Sequence, residues 1–362
     1  MILTEVWLLV NQKITKMTKV ISFGEIMMRL SPPAHQRFVQ ANSFEAVYGG
    51  ADYNTAVSLA CVGIHSDFIT RLPDNDFGHA ALMEIKKNGL SGQHILYGGE
   101  RLGLYFLENG VGYRASKVIY DRAHSSLSEI EPGMIDWKSV FKGFQWFHCS
   151  GITPAISNHA AQVSIEAVRV AREMGLKVSL DLNYRSKLWK HEGDMKQIMT
   201  QITSCVDVVL CTPEDAAIFY DIYPIINNPT SNIIEDRIAS FDSISDQLIA
   251  KFPNISTVAG SIRETHSASR YSLLGVLKTS DSLYVSNAYE MKNIVDRVGT
   301  GDALMGGIIY GLIKTPENPQ NTINFGVATS VLKHTIKGDV NCVSEQEVLS
   351  LVSEGANGRI KR

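Results

Sequence analysis

The chain has 362 residues, of which 44% are hydrophobic and 20% are charged, and its formal net charge is −3 at pH 7. These values are typical of a soluble globular protein that can bury a large core. Charges of both signs are interspersed, and the one basic run, residues 359–362, is a short tail, so nothing indicates a nucleic-acid surface. Five scattered cysteines without a C-x-x-C pair argue against a disulfide framework or a zinc site and predict a cytoplasmic location.

The N-terminal residues contain a brief apolar stretch that is too short for a membrane span. No basic residues precede it and no small-residue cleavage site follows it, so a secretory signal is not indicated. We predict that residues 1–16 form a poorly packed extension, that 17–352 form the main domain and that 353–362 form a tail. Translation starts at either Met1 or Met17 in this interpretation.

From residue 19 onward, strand-like and helix-like stretches alternate. The predicted strands are 19–26, 66–72, 144–151, 177–183, 206–216 and 291–295, and the predicted helices are 53–64, 78–90, 159–176 and 303–313. This alternation predicts βαβ units and a mostly parallel sheet with helices on both faces. Ligands bind such sheets beyond the carboxyl ends of the strands. We therefore expect the polar residues 181–183 and 212–215, which end two strands, to lie at one common rim.

Two segments, residues 28–49 and 98–122, interrupt this alternation. The first has no helix-length apolar face and contains two consecutive prolines. The second alternates residue by residue around Asn109–Gly110, a strong signal for a tight hairpin turn. Together they predict a small β-layer that grows out of the main domain between its first strands.

Residues 296–307, DRVGTGDALMGG, lie between a predicted strand and a predicted helix. A helix N-terminus exposes unpaired N–H groups and attracts anions, and Gly299 and Gly301 let a ligand approach that backbone closely. Asp302, in the first helical turn, is expected to keep a low pKa and to place a carboxylate beside an anion pocket. Phosphoryl transfer needs this arrangement. For this motif alone, an aspartate that caps a helix after a tight turn is an equally good interpretation.

The segment DRVGTGDA resembles the D-x-x-G-[AT]-G-D-x signature of the ribokinase-like (phosphofructokinase-B) carbohydrate kinases. About 250 residues earlier, VYGGADYNTAVSLACVG is similar to the substrate-binding G-G-A-x-x-N-x-A segment of that family. The resemblance extends from about residue 19 to residue 352. It implies a three-layer ribokinase-like α/β fold with a mostly parallel central sheet, and the small β-layer would then be a lid over the site.

Within that family the sequence is most similar to the 2-keto-3-deoxygluconate kinases. Tyr105 in LYFLENG, and Tyr120 and Arg122 in VIYDRAHSS, match residues that hold the acid sugar in this subfamily. DLNYRSKLW matches its D-x-N-x-R-x-x-L-W pattern, in which the arginine, here Arg185, lies between substrate and phosphates. An arginine beside tyrosine hydroxyls suits a carboxylate. The alternatives are a surface strand arginine for Arg122 and a structural ion pair for Arg185.

The resemblance assigns three sets of site residues. They are Gly299, Thr300, Gly301, Asp302 and Arg185 for catalysis, with Asp302 as the base; Gly50, Ala51, Asn54, Tyr105, Tyr120 and Arg122 for the sugar; and Asn183, Arg185, Ser261 and Arg263 for the nucleotide.

Two patterns of the family are altered in this chain. Where N-x-x-E is usual, the chain reads TPED, so Asp215 is predicted to hold magnesium through water. The nucleotide-loop pattern K-x-G-x-x-G is absent, and Ser261 and Arg263 are candidates for the missing phosphate contacts. Asp296 matches an aspartate beside a monovalent-cation loop, for which K⁺ is the candidate ion; a capped turn aspartate is the alternative.

The sequence therefore predicts a kinase that uses ATP and Mg²⁺ to phosphorylate a sugar acid, with 2-keto-3-deoxygluconate as the first candidate. A ribokinase, fructokinase or nucleoside kinase of the same family is the nearest alternative. A sugar-binding regulator that has lost catalysis is the alternative from another class. The lid has an exposed apolar face, so a homodimer or higher homo-oligomer is expected, without nucleic-acid or membrane partners.

Overall fold

The computed structural model describes residues 18–226 and 233–355. The predicted extension 1–16 and residues 356–362 of the predicted tail lie outside the described residues.

The described residues form strands and helices in the alternating order that the sequence predicts. The strands are β1 Lys19–Phe23, β2 Met27–Ser31, β3 Glu45–Gly49, β4 His65–Leu72, β5 Ile95–Tyr97, β6 Gly103–Glu108, β7 Lys117–Asp121, β8 Trp146–Ser150, β9 Lys177–Asp181, β10 Val208–Leu210, β11 Thr257–Ser267, β12 Arg270–Thr279, β13 Leu283–Val285 and β14 Tyr289–Met291. The α-helices are α1 Ala51–Cys61, α2 Asp76–Lys87, α3 Trp137–Val140, α4 Asn158–Glu173, α5 Met195–Thr203, α6 Pro213–Tyr220, α7 Ile234–Lys251, α8 Thr300–Lys314, α9 Pro319–Lys333 and α10 Glu345–Glu354.

The large sheet has the strand order β13-β12-β11-β10-β9-β8-β1-β4-β5, and β14 pairs with β12. Strands β11 to β5 in this order are all parallel, whereas β12 pairs antiparallel with β11, β13 and β14. The prediction of a mostly parallel α/β sheet is confirmed. The carboxyl ends of the parallel strands share one edge, which brings the loops after β9 and β10 together.

Helices cover both faces of the large sheet. Val208 and Leu210 of β10 pack in a hydrophobic cluster with α1, α8, α9 and α10, and Val209 packs in a second cluster with α3 to α7. Alternate residues of a strand point to opposite faces, so one short strand contributes to both cores. The result is the three-layer arrangement that the sequence predicts.

A separate small sheet has the strand order β3-β2-β6-β7 and is formed by the two interrupting segments, as predicted. The arms of the second segment pair antiparallel up to Glu108 and Lys117. The predicted tight turn at Asn109–Gly110 is wrong. Val111 and Arg114 exchange two backbone hydrogen bonds of 3.0 Å around Gly112, which has a φ of +57°. The turn forms there because Gly112 adopts the positive φ that such turns require.

The predicted strand at residues 291–295 is also wrong, apart from its first residue. Strand β14 ends at Met291, and the chain then runs irregularly to the start of α8 at Thr300. The backbone N–H of Val295 donates to the carbonyl of His334 at 2.8 Å instead of joining a strand. The glycine-rich segment is therefore a loop that packs against, and hydrogen-bonds to, the residues that follow α9.

Candidate active site

All the site residues predicted from the sequence line one cleft of about 1190 Å³ between the carboxyl edge of the large sheet and the small sheet. We call the part beside Tyr105, Tyr120 and Arg122 the small-sheet half. The part beside Arg185 and Arg263 is the large-sheet half. Helix α8 begins between the two halves.

The N-terminus of α8 opens onto this cleft. Gly299 is its N-cap and has a φ of +82°, and a Cβ at this position would lie 1.9 Å from the carbonyl oxygen of Asp339. Only glycine fits there. A Cβ on Gly301 would meet no atom within 4 Å, so this glycine leaves open space beside the helix terminus. The unpaired N–H groups of the first turn are available to an anion.

Asp302 is buried in the first turn of α8, with 8% of its surface exposed. Burial raises its pKa to about 6, against the hydrogen bond from Asn54 and the positive charge of Arg185, which lower it. The expectation of a low pKa is wrong, because desolvation of the carboxylate outweighs the stabilising groups around it. A carboxylate with a pKa near neutrality is well suited to accept a proton.

The N-termini of α1 and α8 meet at this carboxylate. Asn54 Nδ2 donates to Asp302 Oδ2 at 2.7 Å, and Thr55 Oγ1 donates to the Asp302 carbonyl at 3.4 Å. Gly50, the N-cap of α1, lies against the segment between β1 and β2, and a Cβ there would be 1.9 Å from the carbonyl oxygen of Glu25. The fold thus joins the early G-G-A-x-x-N segment to the late G-T-G-D segment.

In the small-sheet half, Tyr105 and Tyr120 are paired across β6 and β7, with ring centroids 6.2 Å apart. Arg122 follows β7 and is buried, so the alternative of a surface strand arginine does not apply. Its Nε donates to Glu25 Oε2 at 2.6 Å, and the hydroxyl of Ser125 donates to the other oxygen of Glu25. Sequence reasoning missed Glu25, although its position just after the first buried strand is the kind of place where polar site residues occur.

A buried charge network that sequence reasoning also missed lies beneath the glycine loop. Arg29, in the middle of β2, has 2% of its surface exposed and contacts Asp296 at 2.7 Å and Asp339 at 2.9 Å. Asp296 also accepts from the N–H of Val298 at 3.0 Å, and Asp339 accepts from the hydroxyl of Tyr105. No local sequence pattern predicts these ion pairs, because the paired residues are far apart in the chain.

A buried lysine completes this network. Lys333, near the end of α9, is fully buried and donates from Nζ to the carbonyl of Ile336 at 3.1 Å. Burial lowers its pKa, whereas the nearby charges of Asp296 and Asp339 raise it. The network thus supports the loop from the small sheet on one side and from α9 on the other.

In the large-sheet half, Asn183 donates to Asp181 Oδ2 at 3.0 Å. The sequence predicted that Asp181 lies at this rim but did not assign it to the site. Burial raises the pKa of Asp181, and the nearby charges of Asp302 and Asp215 raise it further. Arg185 is exposed and donates to the carbonyl of the preceding residue at 3.1 Å. Within the described residues it has no carboxylate partner, so the alternative of a structural ion pair is not observed.

Asp215 acts as a cap for α6 and also lines the cleft. One carboxylate oxygen accepts from the N–H of Tyr184 at 3.0 Å, and the other accepts from the N–H and hydroxyl of Thr212 at 2.9 and 2.7 Å. Residues 18–226 and 233–355 contain no group of three or more His, Cys, Asp or Glu side chains placed to hold a metal. A carboxylate oxygen with one donor can still accept from water. This geometry fits a hydrated magnesium better than a directly bound one.

Strand β11 borders the large-sheet half with alternate residues. Ser261 and Arg263, two residues apart, both line the cleft. The β11–β12 hairpin then reaches the small sheet, where the N–H of Ala268 donates to the carbonyl of Gly112 at 2.8 Å. From the loop after β9, Lys187 donates to the carbonyl of Val118 at 3.0 Å. The small sheet is therefore connected to the large-sheet half at two places.

Across the described parts of the chain, no helix has both the length and the apolar character needed to cross a membrane.

Comparison with known proteins gives concordant results. The family described as "pfkB family carbohydrate kinase" matches residues 17–242. The 2-dehydro-3-deoxygalactonokinase of Haloferax volcanii is 28% identical over 340 residues, which cover 94% of this chain and 98% of that protein. The crystal structure of 2-dehydro-3-deoxygluconokinase from Thermotoga maritima is 39% identical, with a TM-score of 0.86 over 93% of this chain and 99% of that one.

A more distant structure shares the fold. The fructokinase of Xylella fastidiosa, solved with bound ATP, has a TM-score of 0.73 over 94% of this chain and 99% of that one, at 19% identity. The matched family, the structural likeness and the convergence of both sequence motifs on one cleft agree, and the chain belongs to the PfkB family of carbohydrate kinases.

Proposed function

We propose that this protein transfers the γ-phosphoryl group of ATP to a sugar acid, converting 2-keto-3-deoxygluconate to its 6-phosphate. The observation that carries this proposal is the buried Asp302 carboxylate, which lies at the N-terminus of α8 and accepts a hydrogen bond from Asn54 at 2.7 Å. This contact supports Asp302 as the base, because it links the segment that would bind the sugar to the helix terminus that would bind the phosphoryl group. The names of the two most similar relatives described above support a 2-keto-3-deoxy sugar acid as the substrate.

In this mechanism Asp302 is the general base. The terminal hydroxyl oxygen of the sugar forms a bond to the γ-phosphorus while the bond from that phosphorus to the bridging oxygen of ADP breaks, and the hydroxyl proton passes to Asp302. The backbone N–H groups of Gly299, Thr300 and Gly301 hold the negative charge of the phosphoryl group in transit. Their advantage is that the helix orients them before the substrate arrives.

The small-sheet half would bind the sugar. Gly50, Ala51 and Asn54 at the start of α1 line the cleft and would contact sugar hydroxyls. The carbonyl and carboxylate end would then lie against the tyrosines of the small sheet and Arg122. The hydrogen bond of Arg122 to Glu25 uses Nε, so the two Nη groups are not part of that bond and are our candidates for the carboxylate contact. With the small sheet closed over the sugar, water is excluded and ATP is protected from hydrolysis.

The large-sheet half would bind the nucleotide through Asn183, Arg185, Ser261 and Arg263. Magnesium would neutralise the phosphates and contact Asp215 through water, as the occupied oxygens of that carboxylate suggest.

A monovalent cation such as K⁺ at Asp296 has less support than magnesium. This carboxylate already pairs with Arg29 and accepts from two backbone N–H groups. The charge that would attract the cation is therefore already balanced.

A cytoplasmic homodimer, or a higher homo-oligomer, remains part of the proposal. The segments of the small sheet expose several large apolar side chains, which a second copy would cover. They are Val39, Phe44, Val111, Tyr113 and Ile119. We expect the lid, rather than the large sheet, to form the subunit contact.

An ADP-release assay over a panel of acceptors tests the function. The panel holds 2-keto-3-deoxygluconate, its C4 epimer 2-keto-3-deoxygalactonate, ribose, fructose and nucleosides, each with ATP and Mg²⁺. We expect the highest kcat/KM for one of the two acids. Preference for a neutral sugar or a nucleoside would favour the alternative kinases, and sugar binding without ADP release would favour a non-catalytic regulator.

A further inference from the structure

Two arginines in the large-sheet half stack on one buried tyrosine ring. The guanidinium carbons of Arg263 and Arg297 lie 4.6 and 4.7 Å from the ring centroid of Tyr271, which is fully buried. Both arginines line the cleft. A planar guanidinium held over an aromatic face is a preorganised group, because it has lost much of its rotational freedom before any ligand binds.

The described part of the chain does not balance these two positive charges. Within residues 18–226 and 233–355, neither Arg263 nor Arg297 forms an ion pair with a carboxylate. Arg263 is exposed to the cleft and Arg297 is half-buried. Partial desolvation lowers the pKa of both guanidinium groups, and the charge of Arg263 lowers the pKa of Arg297 further. Like charges held near each other repel, and an anion between them relieves that repulsion.

The polar atoms around the two arginines are also incompletely satisfied. Arg297 donates from Nη2 to the carbonyl of Ser267 at 2.9 Å, whereas its buried Nε has no hydrogen-bond partner among the described residues. The buried hydroxyl of Tyr271 has none there either. The imidazole ring of His334 packs edge-on against Tyr271. Burial lowers the pKa of His334 to about 4, so this ring is neutral.

The position of Arg297 indicates which anion the pair would bind. Arg297 immediately precedes Val298 and Gly299, so its side chain leaves the chain next to the N-terminus of α8. Arg263 lies further along the cleft wall on β11, beside Ser261. The α8 terminus and both arginines thus line the same cleft, and a chain of phosphates offers each of them a negatively charged group, whereas a single carboxylate carries one charge.

We propose that Arg297 and Arg263 form a guanidinium clamp for the polyphosphate of the bound nucleotide, with Arg297 a phosphate-binding residue next to the transferred group. This inference rests on the proposed function, since it assumes that a nucleotide binds in the large-sheet half. It adds Arg297 to the site and gives Tyr271 the role of a platform that holds both guanidinium groups. Each arginine would donate a charge-assisted hydrogen bond to a phosphate oxygen, and the phosphates would supply the negative charge that no described carboxylate provides.

The test compares nucleotides that differ only in phosphate number. Binding of AMP, ADP and the non-hydrolysable analogue AMP-PNP, each with Mg²⁺, is measured by calorimetry on the full chain. Arg297→Gln removes the positive charge and keeps a polar side chain that can still hydrogen-bond. We expect AMP-PNP to bind roughly 10- to 100-fold more weakly, ADP to be affected less and AMP by less than about twofold. Arg297→Lys should recover part of the loss.

A matched control and a second readout separate binding from folding. Arg270→Met removes an exposed arginine from the same hairpin, where it pairs with Glu290 at 2.6 Å outside the cleft, and should leave all three affinities unchanged. The KM of the sugar should stay within about twofold of wild type in Arg297→Gln. An equal loss for AMP and AMP-PNP, or unchanged AMP-PNP binding, would overturn the clamp. If wild type itself bound no AMP-PNP, the proposed function would fail first, and the clamp with it.

Discussion

The two halves of the cleft use arginine in opposite ways. On the small-sheet side, Arg122 in the cleft and Arg29 beneath the glycine loop are buried and ion-paired with carboxylates of the protein. In the large-sheet half, Arg185, Arg263 and Arg297 line the cleft and have no carboxylate partner among the described residues. A buried charge without a partner is costly, so an arginine deep in the fold is neutralised by the fold itself. An arginine at the cleft wall can remain unpaired until a ligand brings the negative charge.

This difference matches the charges of the proposed ligands. A sugar acid carries one carboxylate, and ATP carries a chain of phosphates. The paired arginines on the small-sheet side therefore mainly hold the sugar and the neighbouring loop in position. The unpaired arginines of the large-sheet half supply net positive charge for the phosphates. Asp302 lies at the boundary, where the two ligands would meet.

The largest expected effect is at that boundary. Asp302→Asn keeps the shape of the side chain and removes the base, and we expect turnover to fall by about 10³-fold or more while sugar affinity changes little. Steady-state kinetics and sugar binding by calorimetry measure the two quantities separately. Near-normal turnover would show that the boundary between the halves does not contain the base.

The second effect tests whether the stability of the fold on the small-sheet side depends on its buried ion pairs. Arg29→Met leaves Asp296 and Asp339 buried without their cation, and we expect the free energy of unfolding to fall by about 3–5 kcal/mol. Urea unfolding measures this change. Arg270→Met, which breaks an exposed pair with Glu290, is the matched control and should cost under about 1 kcal/mol. If the free energy of unfolding fell equally in the two variants, buried arginine pairs would contribute no more to stability than exposed ones, which would contradict this comparison.

The third effect concerns the dual role proposed for Arg122. Because its removal alone would leave Glu25 buried and unpaired, the informative comparison is between Glu25→Gln and the double variant Glu25→Gln/Arg122→Met. We expect the second substitution to lower kcat/KM for acid sugars by about 30-fold and for neutral sugars by less than about twofold. A similar loss for both kinds of sugar would argue that Arg122 only supports the fold.

The smallest effect is the pH dependence of the base. The pKa of Asp302 is raised to about 6, so the proton-accepting form is present above this pH and is lost as the pH falls through it. We expect kcat/KM to decrease about tenfold between pH 7 and pH 5. The residual activity of Asp302→Asn, followed over the same range, should lack this step. A wild-type profile that is flat down to pH 5 would contradict the raised pKa.

Prediction from the sequence succeeded where a local pattern carried the information. Apolar periodicity identified the alternating strands and helices, and the residues of both kinase motifs line one cleft in the structure. It failed where several local choices were available. A hairpin with glycines at both Gly110 and Gly112 can turn at either, and in the structure the turn lies at Gly112, which has the positive φ. The apolar residues after Met291 could equally form a strand or a supported loop, and the hydrogen bonds to the region after α9 selected the loop.

The sequence by itself determined the α/β architecture, the small sheet and the residues that surround the cleft, because periodicity and short motifs are properties of neighbouring residues. Only the tertiary structure decided which charges are paired. Arg29 meets an aspartate 267 positions away, and Arg122 meets a glutamate 97 positions away. Arg263 and Arg297 meet on the ring of Tyr271. Coulomb energies and desolvation depend on distance and burial in space, so these pairings, and the pKa of Asp302, are defined only after the chain has folded.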